Sequence, residues 1–420
     1  MIEAQLPTVK DIHKPISKIE KYKLNIRSFV VMVIAALCPY TFVAIGEMFY
    51  AELLIILFSL ILLFTSDSNQ IFQSKTFKNL LFFSFLTLLG YILSDLLQGT
   101  RPEQYLRGWG RVLFLLSDVL FIGIVVGRDK RLFWWFCLGY AIGQIVYSLV
   151  SGIGLEGWKI YYAVPTALLT LISVYWIGYK SAVLVLITLA LFGLTLDSRS
   201  DPAMILLVAS ILFVRVKHKK KRISIKKVLS LLLIPITILT ILGGLFFSLN
   251  QEKYSERQKA SNYGRSLSFT LGIQSVIHSP IIGVGSWNNS IDIVKLKKEI
   301  ITKELGTRAA VLSGDGFAPH SQILQSWYEG GVLGAAFFLY FFYLLIVRFK
   351  EIVFLRSLDP YSGLLLYMYT YGAWHLFMSP FGGNHRMTIA MSVIIFVFKD
   401  IEKTDQKTYF KKKPEAWEVR

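Results

Sequence analysis

The chain has 420 residues, of which 54% are hydrophobic, 15% aromatic and 17% charged, and its formal net charge is +18. A soluble globular chain carries about 25% charged residues, so this composition excludes an ordinary soluble domain and indicates an integral membrane protein. Cytoplasmic loops rich in Lys and Arg, which attract anionic lipid headgroups, explain the positive charge, so a nucleic-acid partner is not implied.

Apolar runs long enough to cross a hydrocarbon core of about 30 Å recur along nearly the whole chain. We count about twelve, expected to begin near residues 28, 49, 77, 112, 132, 158, 181, 202, 228, 329, 361 and 387. Continuous apolar runs favour helices over a closed barrel, whose strands would show ten-residue alternation. The sequence therefore predicts an all-α polytopic membrane protein.

The predicted spans divide the chain into five segments. These are an N-terminal segment 1–27, transmembrane helices 1 to 9 in 28–249, an external loop subdomain 250–327, transmembrane helices 10 to 12 in 328–398, and a tail 399–420. Clusters of Lys and Arg occupy 127–131, 215–227, 348–356 and 407–413. With twelve spans they fall on the same side as the N-terminal lysines, which predicts that both termini are cytoplasmic.

The long external loop has the pattern of folded helices. The stretch GRSLSFTLGIQSVIHSP has apolar residues at helical spacing and is stopped by Pro280. In SIDIVKLKKEIITKELGTR, Ile291, Val294 and Ile301 recur at helical spacing opposite Lys297 and Lys298, which is typical of an amphipathic surface helix. We expect a helical external subdomain.

Several arginines are predicted on the external face, against the orientation rule. Arg101, Arg107 and Arg111 lie in the predicted loop after span three, Arg199 follows span seven, and Arg386 lies in the last external turn. Two interpretations stay open for Arg101, Arg107 and Arg111: binding of an anionic substrate, or an interfacial structural role.

No metal or cofactor is predicted. The two cysteines, Cys38 and Cys137, lie inside predicted spans and are expected to pack in the core. The chain has no CxxC, HExxH or P-loop motif. Any chemistry is therefore expected to proceed without a bound metal.

Three stretches together resemble the O-antigen ligase family, which includes relatives that polymerise bacterial surface polysaccharides. They are LTLDSRSDPAMILLVAS, GRSLSFTLGIQSVIHSPIIGVGSWNN and PHSQILQSWYEGGVLGAAFFL. The resemblance covers roughly residues 180 to 350, and the N-terminal third is similar only as membrane helices. It implies a glycosyltransferase in the bacterial inner membrane with its active site facing the periplasm.

The resemblance also implies the substrates. The donor would be a glycan on undecaprenyl diphosphate, and a ligase would pass it to a sugar hydroxyl of lipid A-core, with inversion at the anomeric carbon. A polymerase would pass it to another lipid-linked repeat unit, and nothing local in the sequence decides between the two. A non-catalytic transporter of lipid-linked sugars is disfavoured, since its ionisable groups would lie near mid-membrane.

The family's functional residues correspond here to Ser198 and Arg199, to Arg265 and to His320. Arg199 and Arg265 would bind the diphosphate, and His320 would be the catalytic base, because guanidinium groups stabilise phosphate charge and a neutral imidazole accepts a proton near pH 7. Taken alone, Arg199 could anchor a helix end, Arg265 could be solvated, and His320 could cap a helix. Ser321 stands where the family often has asparagine.

Overall fold

The computed structural model describes residues 25–43, 47–64, 71–127, 129–196, 198, 200–217, 251–287, 291–305, 319–353, 358–380, 393, 396 and 397. The first helices are α1 (Ile26–Ala36), α2 (Tyr50–Leu63), α3 (Lys75–Gln98), α4 (Pro102–Phe121), α5 (Lys130–Val150), α6 (Ala163–Thr195) and α7 (Ser200–Lys217). They are followed by α8 (Gln251–His278), α9 (Ile291–Leu305), α10 (Gln322–Gly334), α11 (Ala336–Val353) and α12 (Ser362–Met378).

One small hairpin departs from the all-α prediction. Strands β1 (Thr41–Val43) and β2 (Glu47–Phe49) pair antiparallel between α1 and α2, with Phe42 opposite Met48. Strands this short are marginal on their own. The architecture of the described residues is otherwise helical, as predicted.

Four described helices are long and apolar enough to cross a membrane. They are Lys75–Gln98, Pro102–Val126, Arg131–Val150 and Ala163–Thr195. A fifth span results if Gln322–Gly334 and Ala336–Ile352, which meet at a bend of 106°, count as one. The prediction of a helical membrane protein agrees with this architecture, while the count of twelve spans stays a prediction. The span predicted near residue 228 lies outside the described residues.

The fourth predicted span begins earlier in the structure than the sequence indicated. Helix α3 ends where Gly99 adopts a left-handed conformation (φ 61°), and α4 already begins at Pro102. Proline suits the first turn of a helix because its missing N–H would have no intrahelical partner there. Arg107 and Arg111 therefore lie on a helix and not in a loop.

Glycines allow the closest helix contacts. A Cβ at Gly139 or Gly143 of α5 would collide with the backbone of Met32 or Ala36 in α1. A Cβ at Gly90 of α3 would collide with the backbone of α10 at Gly334. Small residues at such crossings bring helix backbones together, which is how membrane helices pack tightly. These contacts fix α10 directly on α3.

Hydrogen bonds link the middle of α6, at Tyr179, to the segment around the start of α12, and the end of α7 to the end of α11. The Tyr179 hydroxyl donates to the Asp359 carbonyl (2.6 Å) and accepts from the Gly363 N–H (3.0 Å). Arg215 on α7 donates to the Ile352 carbonyl at 2.9 Å. These hydrogen bonds limit how far the four helices can shift along their axes relative to one another.

Candidate functional site

His320 lies immediately before α10, with an exposed side chain. Its backbone N–H donates to Ser268 Oγ on α8 at 2.9 Å. The capping residue of α10 is Ser321, whose hydroxyl oxygen accepts from the Leu324 N–H, so capping does not account for His320. The Ser321 hydroxyl also donates to the Leu376 carbonyl of α12 (3.3 Å). His320 thus lies at the junction of α8, α10 and α12.

Arg265 is on the same surface of α8 as this junction. It is exposed and lies three residues before Ser268, so the two side chains are neighbours on the helix. Because Ser268 binds the His320 backbone, the structure brings Arg265 and His320 into one neighbourhood. These residues are 55 positions apart in the chain.

Ser198 lies at the start of α7, and Arg199 is outside the described residues. The Ser198 and Ser200 hydroxyls donate to the Asp201 carboxylate at 3.2 Å and 3.3 Å. Asp201 is buried and lies within electrostatic range of Tyr367 and Tyr371 of α12. The carboxylate therefore binds the two serines that flank the predicted arginine in the sequence.

A buried polar column follows one face of α12, and the sequence analysis missed it. Tyr367, Tyr371, His375 and Ser379 recur every four residues. The tyrosine rings stack at 5.7 Å, Tyr371 meets the His375 ring at 4.1 Å, and His375 Nδ1 lies 2.6 Å from Ser379 Oγ. The i, i+4 spacing was visible in YMYTYGAWHLFMS and could have revealed this column. It runs from the vicinity of Asp201 toward the end of α12 near Ser321.

Helix α10 is broken at Gly331, where the backbone turns to φ 67° and ψ −163°. The turn after α8 replaces the lost helical bonds: Val284 N–H donates to the Tyr328 carbonyl and Gly285 N–H to the Glu329 carbonyl, while Val332 N–H donates to the Ile281 carbonyl. Irregular backbone at membrane depth is tolerated where other protein groups satisfy it. These hydrogen bonds at the break therefore connect the turn after α8 to α10.

Arg111 and Glu329 form a buried ion pair beside this break. Arg111 also donates to the Tyr91 hydroxyl at 3.4 Å, and Gln325 donates to the other Glu329 oxygen at 3.1 Å. Glu329 reaches Arg111 across 218 residues of sequence, a pairing that no local pattern indicates. Arg111 thus lies inside the protein and contacts α10, the helix that follows His320.

The other predicted arginines divide into two groups. Arg101 and Arg107 are exposed at the start of α4. Arg386, like Arg199, lies outside the described residues. The structure therefore brings together Arg265 and His320, and it locates Arg111 beside Glu329 near the break in α10.

Gln322 is a further polar group close to His320. Its side chain is fully buried, and neither amide atom has a hydrogen-bond partner. A buried amide without partners is costly, so Gln322 marks a polar position in the interior at the start of α10. Among the residues that the structure describes, no group of three or more His, Cys, Asp or Glu side chains could hold a metal ion.

Residues 182–339 match the O-antigen ligase family. The match includes Ser198, Arg265 and His320, together with both helices that meet at Ser268. This part of the chain is therefore similar to the O-antigen ligase family. The predicted resemblance over roughly residues 180 to 350 is thereby confirmed, and the family is one of glycosyltransferases of the ligase and polymerase type. No curated protein matches the chain.

Proposed function

We propose that the protein transfers a glycan from undecaprenyl diphosphate to a sugar hydroxyl of lipid A-core, at the periplasmic face of the inner membrane. The observation that carries the proposal is the hydrogen bond from His320 N–H to Ser268, one helical turn from exposed Arg265. It joins the candidate base to a candidate phosphate-binding residue within the part of the chain that matches the family.

In the proposed reaction the acceptor oxygen attacks the anomeric carbon of the donor sugar. The carbon–oxygen bond to the diphosphate breaks, and the electron pair leaves with undecaprenyl diphosphate. His320 takes the proton of the acceptor hydroxyl during attack and later releases it to water. Attack opposite the leaving group inverts the anomeric configuration.

Charge stabilisation is assigned to Arg265 and Arg199. The leaving diphosphate gains negative charge as the bond breaks, and guanidinium groups stabilise phosphate oxygens through two parallel hydrogen bonds. Arg265 is exposed at the surface where the donor headgroup would arrive. Because these side chains supply the positive charge, the proposed reaction needs no metal ion or cofactor.

The test is transfer by the purified protein reconstituted in lipid. One reaction offers undecaprenyl-diphosphate glycan with lipid A-core, a second offers the donor alone, and both are repeated with EDTA. Product on lipid A-core, unaffected by EDTA, is the expected result. Longer lipid-linked chains in the donor-only reaction, with no product on lipid A-core, would assign the protein as a polymerase and contradict the ligase proposal.

A further inference from the structure

Trp287 is held in a costly conformation beside the break in α10. Its φ is 52°, and it is the one non-glycine residue with positive φ in the part of the chain that the structure describes. Large side chains avoid this region, so a residue found there is held by its surroundings, and such residues concentrate at functional sites. The indole is nevertheless 45% exposed.

The turn before Trp287 is fixed by two buried side chains of α3. Asp95 accepts from the Ser286 backbone N–H (2.6 Å) and from the Ser286 hydroxyl (2.7 Å). Ser94 Oγ accepts from the Gly285 N–H at 3.0 Å. Ser286 also packs directly on Gly108 of α4, where a Cβ would collide with it. The backbone that precedes the indole is therefore held by hydrogen bonds and by close packing.

Arg111 supports the indole from the protein interior. Its guanidinium carbon lies 5.1 Å from the centre of the Trp287 ring, within the range of a cation–π contact. The charge of Arg111 is balanced by buried Glu329. Arg111 therefore acts as a positioning residue under the ring, and the exposed part of the indole is left for a ligand.

Exposed polar side chains flank the indole on α4. Gln104 Nε2 donates to the Trp287 carbonyl at 3.3 Å. Arg101 and Arg107 lie three residues before and after Gln104, so they share this side of the helix, and both are exposed. Glu103, also exposed, lies one turn before Arg107 and offsets part of its charge. The surface around the ring keeps a net positive charge.

We propose that Trp287, Gln104, Arg101 and Arg107 form a binding surface for an anionic glycan. The apolar face of a sugar ring packs on the indole, and a phosphate or carboxylate on the glycan binds the two arginines. Arg111 links the ring to Glu329, which lies nine residues after His320 along α10, or about 13 Å of helix. The assignment of the glycan to a substrate rests on the proposed function.

The test is calorimetric binding to the full-length protein in detergent, without turnover. The probes are the core oligosaccharide freed of lipid A, the same oligosaccharide after phosphatase treatment, and the donor glycan released with its phosphate. We expect the phosphorylated probes to bind, Trp287→Gly to weaken binding about tenfold, and Trp287→Phe to weaken it less. The stronger phosphorylated probe identifies the acceptor or the donor as the source.

Matched variants distinguish a loss of glycan binding at this surface from a nonspecific effect of substitution. Trp176→Ala removes a second exposed indole, on α6, and should leave binding unchanged. Arg107→Gln should weaken only the phosphorylated probes and leaves the turn at Trp287 intact. Wild-type affinity of Trp287→Gly and Arg107→Gln, an equal loss in Trp176→Ala, or displacement of the glycan by short-chain phosphatidylglycerol would overturn the proposal.

The binding assay tests the proposed surface and the transfer assay tests the proposed function, so the failure of one proposal can be distinguished from the failure of the other. If the wild-type protein binds the glycan but does not transfer it to lipid A-core, the proposed function is contradicted and the proposed binding surface still stands. If Trp287→Gly transfers glycan at the wild-type rate and binds every probe with unchanged affinity, the proposed binding surface is contradicted and the proposed function still stands.

Discussion

At the scale of single residues, one hydrogen bond links the two halves of the candidate site. Ser268 on α8 accepts from the His320 N–H, and Arg265 is its neighbour on the same helix. The family resemblance predicts Arg265 and His320 as site residues, and their roles stay a prediction. It did not indicate Ser268, because a serine on a helix has no distinguishing local pattern.

Removing the Ser268 hydroxyl should loosen the segment that carries His320. A net hydrogen bond contributes about 0.5 to 1.5 kcal/mol, so we expect Ser268→Ala to lower kcat about three- to tenfold at nearly constant melting temperature. Steady-state transfer to lipid A-core measures this. Ser266→Ala, an exposed serine two residues earlier, is the control and should keep wild-type kcat. Equal rates in the two variants would argue against the positioning role.

The Arg111–Glu329 pair should behave as a structural unit. Arg111→Met or Glu329→Leu alone leaves an uncompensated buried charge and is expected to cost about 3 to 5 kcal/mol, whereas the double variant should regain much of the loss. Thermal unfolding of all four proteins in detergent gives the coupling free energy. Additive losses would contradict a direct interaction between the two side chains.

At the scale of elements, the break in α10 is the feature that sequence reasoning described least well. The glycines of YEGGVLG indicated close helix packing, and Gly330 and Gly334 do contact Tyr91 of α3. The regular helix can end at Gly331 because the turn at Ile281–Gly285, which is distant in the sequence, supplies hydrogen bonds to it. Similarly, α4 was predicted to start ten residues late because its first turns are polar.

Substituting Gly331 should destabilise the protein. Its φ of 67° with ψ of −163° is a conformation that only glycine adopts readily, and a Cβ would meet the Ile281 carbonyl. We expect Gly331→Ala to cost about 2 kcal/mol or more. Gly264→Ala on α8, where a Cβ has open space, should instead stabilise its helix by up to about 1 kcal/mol. Chemical denaturation of both variants tests this, and equal effects would refute the explanation.

At the scale of the whole molecule, composition and apolar periodicity were sufficient to predict a helical membrane protein. Solvation by lipid imposes that outcome, because every backbone polar group must be satisfied within helices. The external loop was also predicted helical, and α8 ends at His278 just before Pro280. In α9, however, Lys297 lies on the buried face with Ile293 and Ile301, opposite to the expectation. A single sequence does not reveal what covers a surface helix.

The predicted orientation can be tested by cysteine labelling. Cys38 and Cys137 are buried, so replacing both with alanine gives a background without thiols. In intact cells with a permeabilised outer membrane, a membrane-impermeant maleimide should label Ser266→Cys and leave Lys217→Cys unlabelled until the inner membrane is opened. The reverse pattern would invert the topology and contradict a periplasmic site.

The central claim is that His320 and Arg265 perform glycosyl transfer from the junction at Ser268. The most direct test is the initial rate of transfer to lipid A-core by purified wild-type, His320→Ala, Arg265→Ala and Ser266→Ala proteins, all confirmed to be folded. We predict that the first two variants lose at least about 100-fold in rate, as expected for a general base or a charge-stabilising group, and that Ser266→Ala retains activity. Near-wild-type turnover by His320→Ala would contradict the account.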